Sequence, residues 1–140
     1  MRREEIDALI PHSGDMCLLD RLDGWDARHV VCSASNHRDP GHPLRTPSGL
    51  LATCLIEYAA QAMALHGALS AQADGRTIRP GYLASVRGVQ LHCLRLDDLP
   101  AAEPDELRIE TVRQAGDDRQ ILYTFTVHHA GRPLADGRAA

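Results

Sequence analysis

Residues 50–65 are apolar on nearly every side of a helical projection, and the stretch is interrupted only by Thr53, Glu57 and Gln61. A helix on a protein surface would instead show a continuous polar face opposite its apolar face. The pattern therefore predicts a helix that is buried on all sides.

Thr46 and Pro47 mark the expected start of this helix. A threonine hydroxyl can cap the first amide groups of a helix, and proline is tolerated at the first helical position, where its missing N–H has no partner to lose. We expect the helix to run from this point to about Ser70.

The same stretch approaches the length of about 20 apolar residues that a bilayer crossing needs. It is rich in alanine, however, and Glu57 lies at its centre. A carboxylate at that depth costs about 2.5 to 3.5 kcal/mol on insertion scales. The pattern therefore favours a protein core over a membrane.

Beyond residue 80 the chain changes to a period of two, which is typical of strands with one buried face. The alternation is clear in residues 107–111 and 121–127. Residues 81–96 predict a longer strand that bends near Gly88. Residues 132–140 predict an incomplete final strand.

Before the long helix, residues 3–9 predict a short helix, and residues 16–22 and 29–35 predict two strands separated by a turn at Asp23 and Gly24. A sheet that wraps a single long apolar helix would cover it on all sides. The sequence thus predicts an α+β fold, in which one long central helix is wrapped by an antiparallel β-sheet.

The length of 140 residues is typical of one domain, so we expect residues 1–140 to form a single domain. Hydrophobic residues make up 44% of the chain and charged residues 24%, which argues against disorder and fibrous repeats. The net charge is −4 and the 15 basic residues form no block, so nothing indicates nucleic-acid binding.

The four cysteines are widely spaced, belong to no CxxC motif and fall mainly in apolar runs. They are expected to be small buried hydrophobic residues rather than disulfide partners. The first residues of the sequence also lack the apolar stretch of a secretory signal. We therefore expect reduced thiols and a cytoplasmic protein.

Three segments, in this order, resemble one known family. Residues 10–22, IPHSGDMCLLDRL, are similar to the N-terminal Pro-His and Met-Leu-Leu-Asp-Arg pattern of hotdog dehydratases of the fatty-acid type. Residues 55–64, LIEYAAQAMA, resemble their central-helix motif, in which a catalytic Glu precedes small residues and a Gln. Residues 81–107 are similar to the strand and proline-containing turn that follow. Among these proteins, the chain looks closest to the predicted 3-hydroxyacyl-[acyl-carrier-protein] dehydratases of aryl-polyene-type clusters.

The resemblance implies a hotdog fold and a homodimer with two active sites at the subunit interface. Each site would join a helix Glu of one subunit to a loop His of the other. By position in the motifs these are Glu57 and His42, the latter in a Gly-His-Pro loop. The resemblance also implies a substrate carried as a thioester by acyl carrier protein, with no cofactor and no metal ion required.

These residue types suit the elimination of water from a 3-hydroxyacyl thioester, which needs a base for the α proton and an acid for the departing hydroxyl. The neutral imidazole of His42 could serve as the base, and the carboxyl of Glu57, in an apolar pocket, could stay protonated and serve as the acid. Backbone N–H groups near Ser48 and Gly49 could polarise the thioester carbonyl. The acyl chain would lie in a tunnel lined by aliphatic side chains.

Three other polar residues have roles that the sequence leaves open. Gln61 lies one helical turn beyond Glu57 and could orient it, bind substrate or link two subunits. His12 could bind substrate or fix the N-terminal turn. His37 competes with His42 for the role of base, and a metal site formed by these two histidines lacks further ligands at suitable spacing.

Two other functions fit the same pattern. A hotdog thioesterase also uses a helix carboxylate and would release a free thiol, whereas a non-catalytic acyl-binding hotdog subunit would show no turnover that depends on Glu57 or His42. The leading hypothesis is a dehydratase that forms a trans-2-enoyl thioester in fatty-acid or polyene-type biosynthesis.

Overall fold

The computed structural model of the chain describes residues 1–11, 14–75, 85–116 and 121–140. These residues contain two α-helices and six strands. The helices are α1, Arg3–Asp7, and α2, Cys54–Ala73. The strands are β1, Arg21–Trp25; β2, His29–Ala34; β3, Val86–Leu91; β4, Leu107–Gly116; β5, Ile121–His129; and β6, Arg132–Ala139.

The strands form one antiparallel sheet in the order β1-β2-β4-β5-β6-β3. The long helix α2 packs against β2, β4 and β5. The prediction of an α+β hotdog fold, with one long helix on an antiparallel sheet, is confirmed.

The core lies between α2 and the sheet. The predicted alternation in β4 is confirmed, because Leu107 and Ile109 are fully buried whereas Arg108 is exposed. Leu55 and Tyr58 of α2 form the opposite wall and are also fully buried. Burial of each aliphatic side chain in this set, Leu55, Leu107 and Ile109, stabilises the fold by about 1.5 to 3 kcal/mol.

One side of α2 stays partly accessible in the single chain. Its half-buried residues recur at helical spacing: Ile56, Glu57, Ala60, Ala64, Gly67 and Ser70. The sequence pattern predicted burial on all sides, and within the single chain this prediction is wrong for the side that carries these residues.

The predicted helix start at Thr46 and Pro47 is wrong, since α2 begins at Cys54. Thr46 and Gly49 close a tight turn, in which each backbone N–H donates to the other residue's carbonyl oxygen, at 3.0 and 2.9 Å. The Thr46 hydroxyl donates to the same Gly49 carbonyl at 2.8 Å and does not cap a helix. Gly49 has a φ of +107°, which stops helical geometry at this point.

The predicted turn at Asp23 and Gly24 is also wrong, because both residues lie within β1. The turn follows the strand. The Asp26 carboxylate accepts the backbone N–H groups of Arg28 at 2.8 Å and His29 at 2.7 Å. An aspartate side chain that accepts backbone N–H groups two and three residues further on stabilises a turn at that position.

Residues 17–19 were predicted to lie in the first strand, but they precede β1 and are fully buried outside it. Leu18 donates its backbone N–H to the side chain of Gln61 in α2, at 2.8 Å, instead of to a neighbouring strand. This apolar segment therefore docks on the helix.

The predicted strand over residues 81–96 is shorter than expected. Residues 81–84 lie outside the described residues, and β3 ends at Leu91. The chain then pairs with the segment before α2, since Leu96 N–H donates to the Leu50 carbonyl at 2.8 Å. The expected bend is confirmed at Gly88, where φ is +60° and the pairing with β6 shifts.

The last strand is more complete than predicted, because β6 pairs with both β5 and β3. The four cysteines are free thiols, and three of them are buried, as predicted. None of the described helices has the length and apolar character that crossing a bilayer requires.

Candidate functional site

Glu57 lies in the first turn of α2, on the partly accessible side of the helix. Most of its neighbours along the helix are apolar. The Gln61 side chain donates an N–H to Glu57 Oε1 at 3.3 Å, one turn further along. Gln61 is thus one hydrogen-bond partner of the acidic group on this mainly apolar helix.

Gln61 is fully buried and is held by two backbone groups. Its Oε1 accepts the Leu18 N–H at 2.8 Å, and its Nε2 donates to the Met16 carbonyl at 2.7 Å. An amide fixed at both ends in this way can adopt only one orientation, which directs its second N–H towards Glu57. This geometry favours the role of orienting Glu57, while contacts of Gln61 with substrate or another subunit stay predictions.

His42 is 4% exposed and both of its ring nitrogens have partners. Nδ1 accepts the backbone N–H of Leu44 at 3.1 Å, and Nε2 lies 2.9 Å from the Tyr58 hydroxyl. Burial, followed by the positive charge of Arg45, lowers the pKa of His42. The imidazole is therefore held neutral at physiological pH.

Tyr58 and Asn36 extend this contact inward, and neither residue was predicted from the sequence to belong to the site. The Tyr58 hydroxyl donates to Asn36 Oδ1 at 2.5 Å, and Asn36 Nδ2 donates to the Leu18 carbonyl at 3.3 Å. Burial raises the pKa of Tyr58, so the phenol stays protonated. A tyrosine in a buried helix does signal that its hydroxyl needs a partner, although it does not say which one.

Leu18 connects these contacts, because its N–H binds Gln61 and its carbonyl accepts from Asn36. The surroundings of Glu57 and those of His42 therefore meet at one buried residue. A catalytic role for His42, opposite Glu57 of another subunit, stays a prediction.

His37, the competing histidine, lies in a different network. Its Nε2 contacts Asp105 Oδ1 at 3.1 Å, and His129 Nε2 contacts the same oxygen at 2.7 Å. The hydrogen bond from Arg38 to the other oxygen is the main cause that holds the pKa of Asp105 well below its usual range. Both imidazoles are buried. This network ties the 36–38 turn to the end of β5, which is a structural role.

Three residues of this network could together bind a metal ion, because the ligand atoms of His37, Asp105 and His129 lie within 4.8 Å of one another. Among the described residues no other such group is found. The Arg38 guanidinium already neutralises the carboxylate, however. The fold therefore accounts for this cluster without an ion.

The predicted amide donors of Ser48 and Gly49 have acceptors within the chain. Ser48 N–H donates to the Thr46 hydroxyl at 3.2 Å, and Gly49 N–H donates to the Thr46 carbonyl at 2.9 Å. The next amide, that of Leu50, donates to Asp97 at 2.7 Å. Polarisation of a thioester by Ser48 or Gly49 stays a prediction, and it would require these bonds to be exchanged.

His12 lies outside the described residues, so its predicted contact with substrate is untested. A cavity of about 480 Å³ lies on the face of the sheet that points away from α2. Its polar lining is mainly acidic: Glu103, Glu106, Glu110, Arg108 and His128. This groove is not the predicted aliphatic tunnel.

Comparison with known structures supports the fold. The dehydratase heterocomplex ApeI:P from Xenorhabdus doucetiae contains a chain with a TM-score of 0.81 and 20% identity, covering 96% of this chain and 87% of that one. A hypothetical thioesterase with coenzyme A from Streptococcus pneumoniae TIGR4 matches with a TM-score of 0.60 and 13% identity, over 85% and 80% of the two chains. S. sahachiroi AziG matches with a TM-score of 0.59 and 14% identity, over 89% of this chain and 88% of that one. At these identities, the likeness establishes a shared fold alone.

Among curated proteins, none matches the chain in sequence. The model of the ApeP-like family, described as ApeP dehydratase, matches residues 4–140, which is nearly the whole chain. This match agrees with the helix carboxylate and with the hotdog fold, and the chain therefore belongs to the ApeP-like family of dehydratases.

Proposed function

We propose that the chain converts a 3-hydroxyacyl thioester of acyl carrier protein to the trans-2-enoyl thioester, in fatty-acid or polyene-type biosynthesis. The observation that carries the proposal is Glu57, a carboxyl on a mainly apolar helix whose position is fixed by the buried Gln61. Partly burying a carboxyl among apolar residues costs free energy unless hydrogen bonds compensate it, and this cost favours a functional reason for Glu57. Membership of a dehydratase family supports a hydro-lyase.

In the proposed reaction, a histidine removes the proton on the α carbon and the electron pair forms the carbon–carbon double bond. The bond between the β carbon and its hydroxyl breaks, and the hydroxyl takes a proton from Glu57 to leave as water. His42 is the proposed base. Its support is the neutral state that burial favours, since only an uncharged imidazole can accept a proton.

The substrate contacts follow from the same proposal. Amide groups near Ser48 and Gly49 would bind the thioester carbonyl, and Gln61 and His12 would lie beside the acyl group. An amide donor directed at the developing enolate oxygen would stabilise it more strongly than it stabilises the bound substrate.

A second subunit would complete the site. β3 is at the edge of the sheet and its residues are exposed except for the half-buried Val89, so its unpaired backbone groups can accept another strand. Val89 packs against a buried cluster that includes Ala59 and Met63 of α2, so the open edge and the helix border the same apolar cluster. Leu94, just beyond β3, is 85% exposed. These features support an interface along β3 and the accessible side of α2.

We propose a homodimer at this interface. The related ApeI:P structure is a heterocomplex, so a different hotdog subunit is the alternative occupant. Light scattering on the purified chain separates the two: a dimer of this chain supports the homodimer, whereas a monomer that pairs only with a second hotdog protein contradicts it.

The activity is tested by incubating the purified chain with 3-hydroxyacyl thioesters of acyl carrier protein over a range of chain lengths, and by following mass loss corresponding to water. The reverse hydration of 2-enoyl thioesters is measured in parallel. Conversion in either direction supports the proposal. Release of free carrier-protein thiol without dehydration would identify a thioesterase, and no conversion with or without a second hotdog subunit would refute the dehydratase.

A further inference from the structure

His42, Tyr58 and Asn36 form a row of hydrogen bonds whose direction is determined at both ends. At one end, the Leu44 N–H donates to His42 Nδ1 at 3.1 Å, and a backbone N–H can only donate. At the other end, the Leu18 carbonyl faces the Asn36 amide at 3.3 Å, and a carbonyl can only accept. Each end therefore specifies where the protons in between must lie.

The row has a single consistent arrangement. Because the Leu18 carbonyl needs a donor, Asn36 presents its NH₂ to Leu18 and its oxygen to Tyr58. The one hydroxyl proton of Tyr58 then points to Asn36, at 2.5 Å. The Tyr58 oxygen is left to accept from His42 Nε2, at 2.9 Å. The Leu44 end gives the same result. A neutral imidazole carries one N–H proton, and because Nδ1 accepts a hydrogen bond, that proton must be on Nε2.

We propose that Tyr58, supported by Asn36, is a positioning residue that holds His42 in the Nε2–H tautomer and leaves Nδ1 as the ring nitrogen that accepts a proton. The row is built from buried groups, since Tyr58 is fully buried and His42 is 4% exposed. Water therefore competes little for these hydrogen bonds, and each of them restricts the ring.

For catalysis, this inference rests on the proposed function. The α proton of the substrate would move to Nδ1, and the resulting imidazolium would keep its Nε2–H on the Tyr58 oxygen. A third group that orients a catalytic histidine in this way is the arrangement used in Ser-His-Asp enzymes, with the two ring nitrogens exchanged. In this structure the Leu44 N–H donates to Nδ1. This hydrogen bond must therefore break before Nδ1 can accept the proton of the substrate.

The tautomer can be measured without any activity. In ¹⁵N-labelled protein, long-range proton–nitrogen correlation spectra distinguish a protonated ring nitrogen from an unprotonated one, and His42→Gln identifies the signals of His42. We expect the proton on Nε2 alone. A proton on Nδ1, or a mixture of the two tautomers, would overturn the inference whether or not the protein is a dehydratase.

Tyr58→Phe tests the positioning role. Removing the hydroxyl takes away the acceptor for Nε2–H, so we expect the His42 signals to change and kcat to fall about tenfold with little change in KM, corresponding to one lost hydrogen bond. Tyr123→Phe is the matched control, because the Tyr123 hydroxyl contacts Nδ1 of another buried histidine, His66, at 2.8 Å. It should leave the His42 signals and kcat unchanged.

Asn36→Ala provides a second variant if Tyr58→Phe fails to fold. It removes the acceptor of the Tyr58 hydroxyl, which then becomes free to donate to His42 Nε2. The Nδ1–H tautomer is then opposed by the Leu44 N–H alone, so its population should rise above that in the wild type. His42 signals that match the wild type in both variants would refute the positioning role. Changed signals in a protein without dehydratase activity would support the tautomer assignment and refute the proposed function alone.

Discussion

Gln61 holds residues 16–18 on α2 and also donates to Glu57 of the same helix, so replacing Gln61 by methionine should weaken both contacts. Methionine has a similar length but neither a donor nor an acceptor of comparable strength. In Gln61→Met, the Leu18 N–H would lose its acceptor and the Met16 carbonyl would lose its donor.

The expected loss follows from the burial of these groups. Leu18 is fully buried, so its unpaired N–H costs about 1 to 3 kcal/mol. Met16 is 40% exposed, so water can replace part of the bond to its carbonyl, and that loss is about 1 kcal/mol or less. The total is about 1 to 4 kcal/mol, or a fall in Tm of about 3 to 15 °C for a domain of this size.

Urea unfolding followed by circular dichroism measures this loss. The protein concentration must be the same for all variants, because association of subunits adds to the apparent stability. Gln72→Met is the matched control, since Gln72 is an exposed glutamine of the same helix. It should change the free energy of unfolding by less than about 0.5 kcal/mol. If Gln61→Met is no less stable than Gln72→Met, the buried amide does not hold the segment and the description of the site is wrong.

Two further predictions concern the turn before α2 and the buried histidines. In Gly49→Ala, the new Cβ would lie 2.8 Å from Asp97 Oδ1 at a φ of +107°, so we expect a loss of about 2 to 4 kcal/mol in urea unfolding. Gly131→Ala, which has a φ of +77° and open space around it, should lose only about 1 to 2 kcal/mol, and equal losses would exclude a role for Asp97. Within the described part of the chain, burial lowers the pKa of three histidines from 6.5: His37, His42 and His66. Because the unfolded chain takes up these protons at a higher pH than the folded chain, the stabilisation is complete above pH 6.5 and is lost as the pH falls below it, by at most about 1.4 kcal/mol per pH unit for each histidine. Unfolding free energies that stay constant between about pH 7.5 and 5.5 would contradict this assignment.

The sequence predicted those parts of the fold that depend on local periodicity. The all-round apolar pattern identified α2, and the period of two identified β4 and β5, because a buried helix and a half-buried strand repeat at different intervals. The predicted helix and strand boundaries were wrong where contacts with residues distant in sequence determine the local structure. The Leu50 amide is held by Asp97, so the helix begins later than Thr46 suggested.

The candidate site was visible in the sequence only where one segment carries the signal, and its catalytic roles stay predictions. Glu57 stood out because a carboxyl in an apolar helix conflicts with its surroundings, and that conflict is visible in one segment. Tyr58 and Asn36 were missed because their importance depends on contacts among the 36–42 loop, α2 and residue 18, which only the folded chain brings together.

The central claim is that Glu57 takes part in the chemistry. Its most direct test is the initial rate of 2-enoyl thioester formation by wild type and Glu57→Gln, with Glu110→Gln, on the outer face of β4, as a control and with the Tm of all three measured. The account predicts that Glu57→Gln retains the fold but loses at least about a hundredfold in rate, as expected when a general acid is removed, while the control keeps the wild-type rate. A folded Glu57→Gln variant that dehydrates the thioester at the wild-type rate would contradict it.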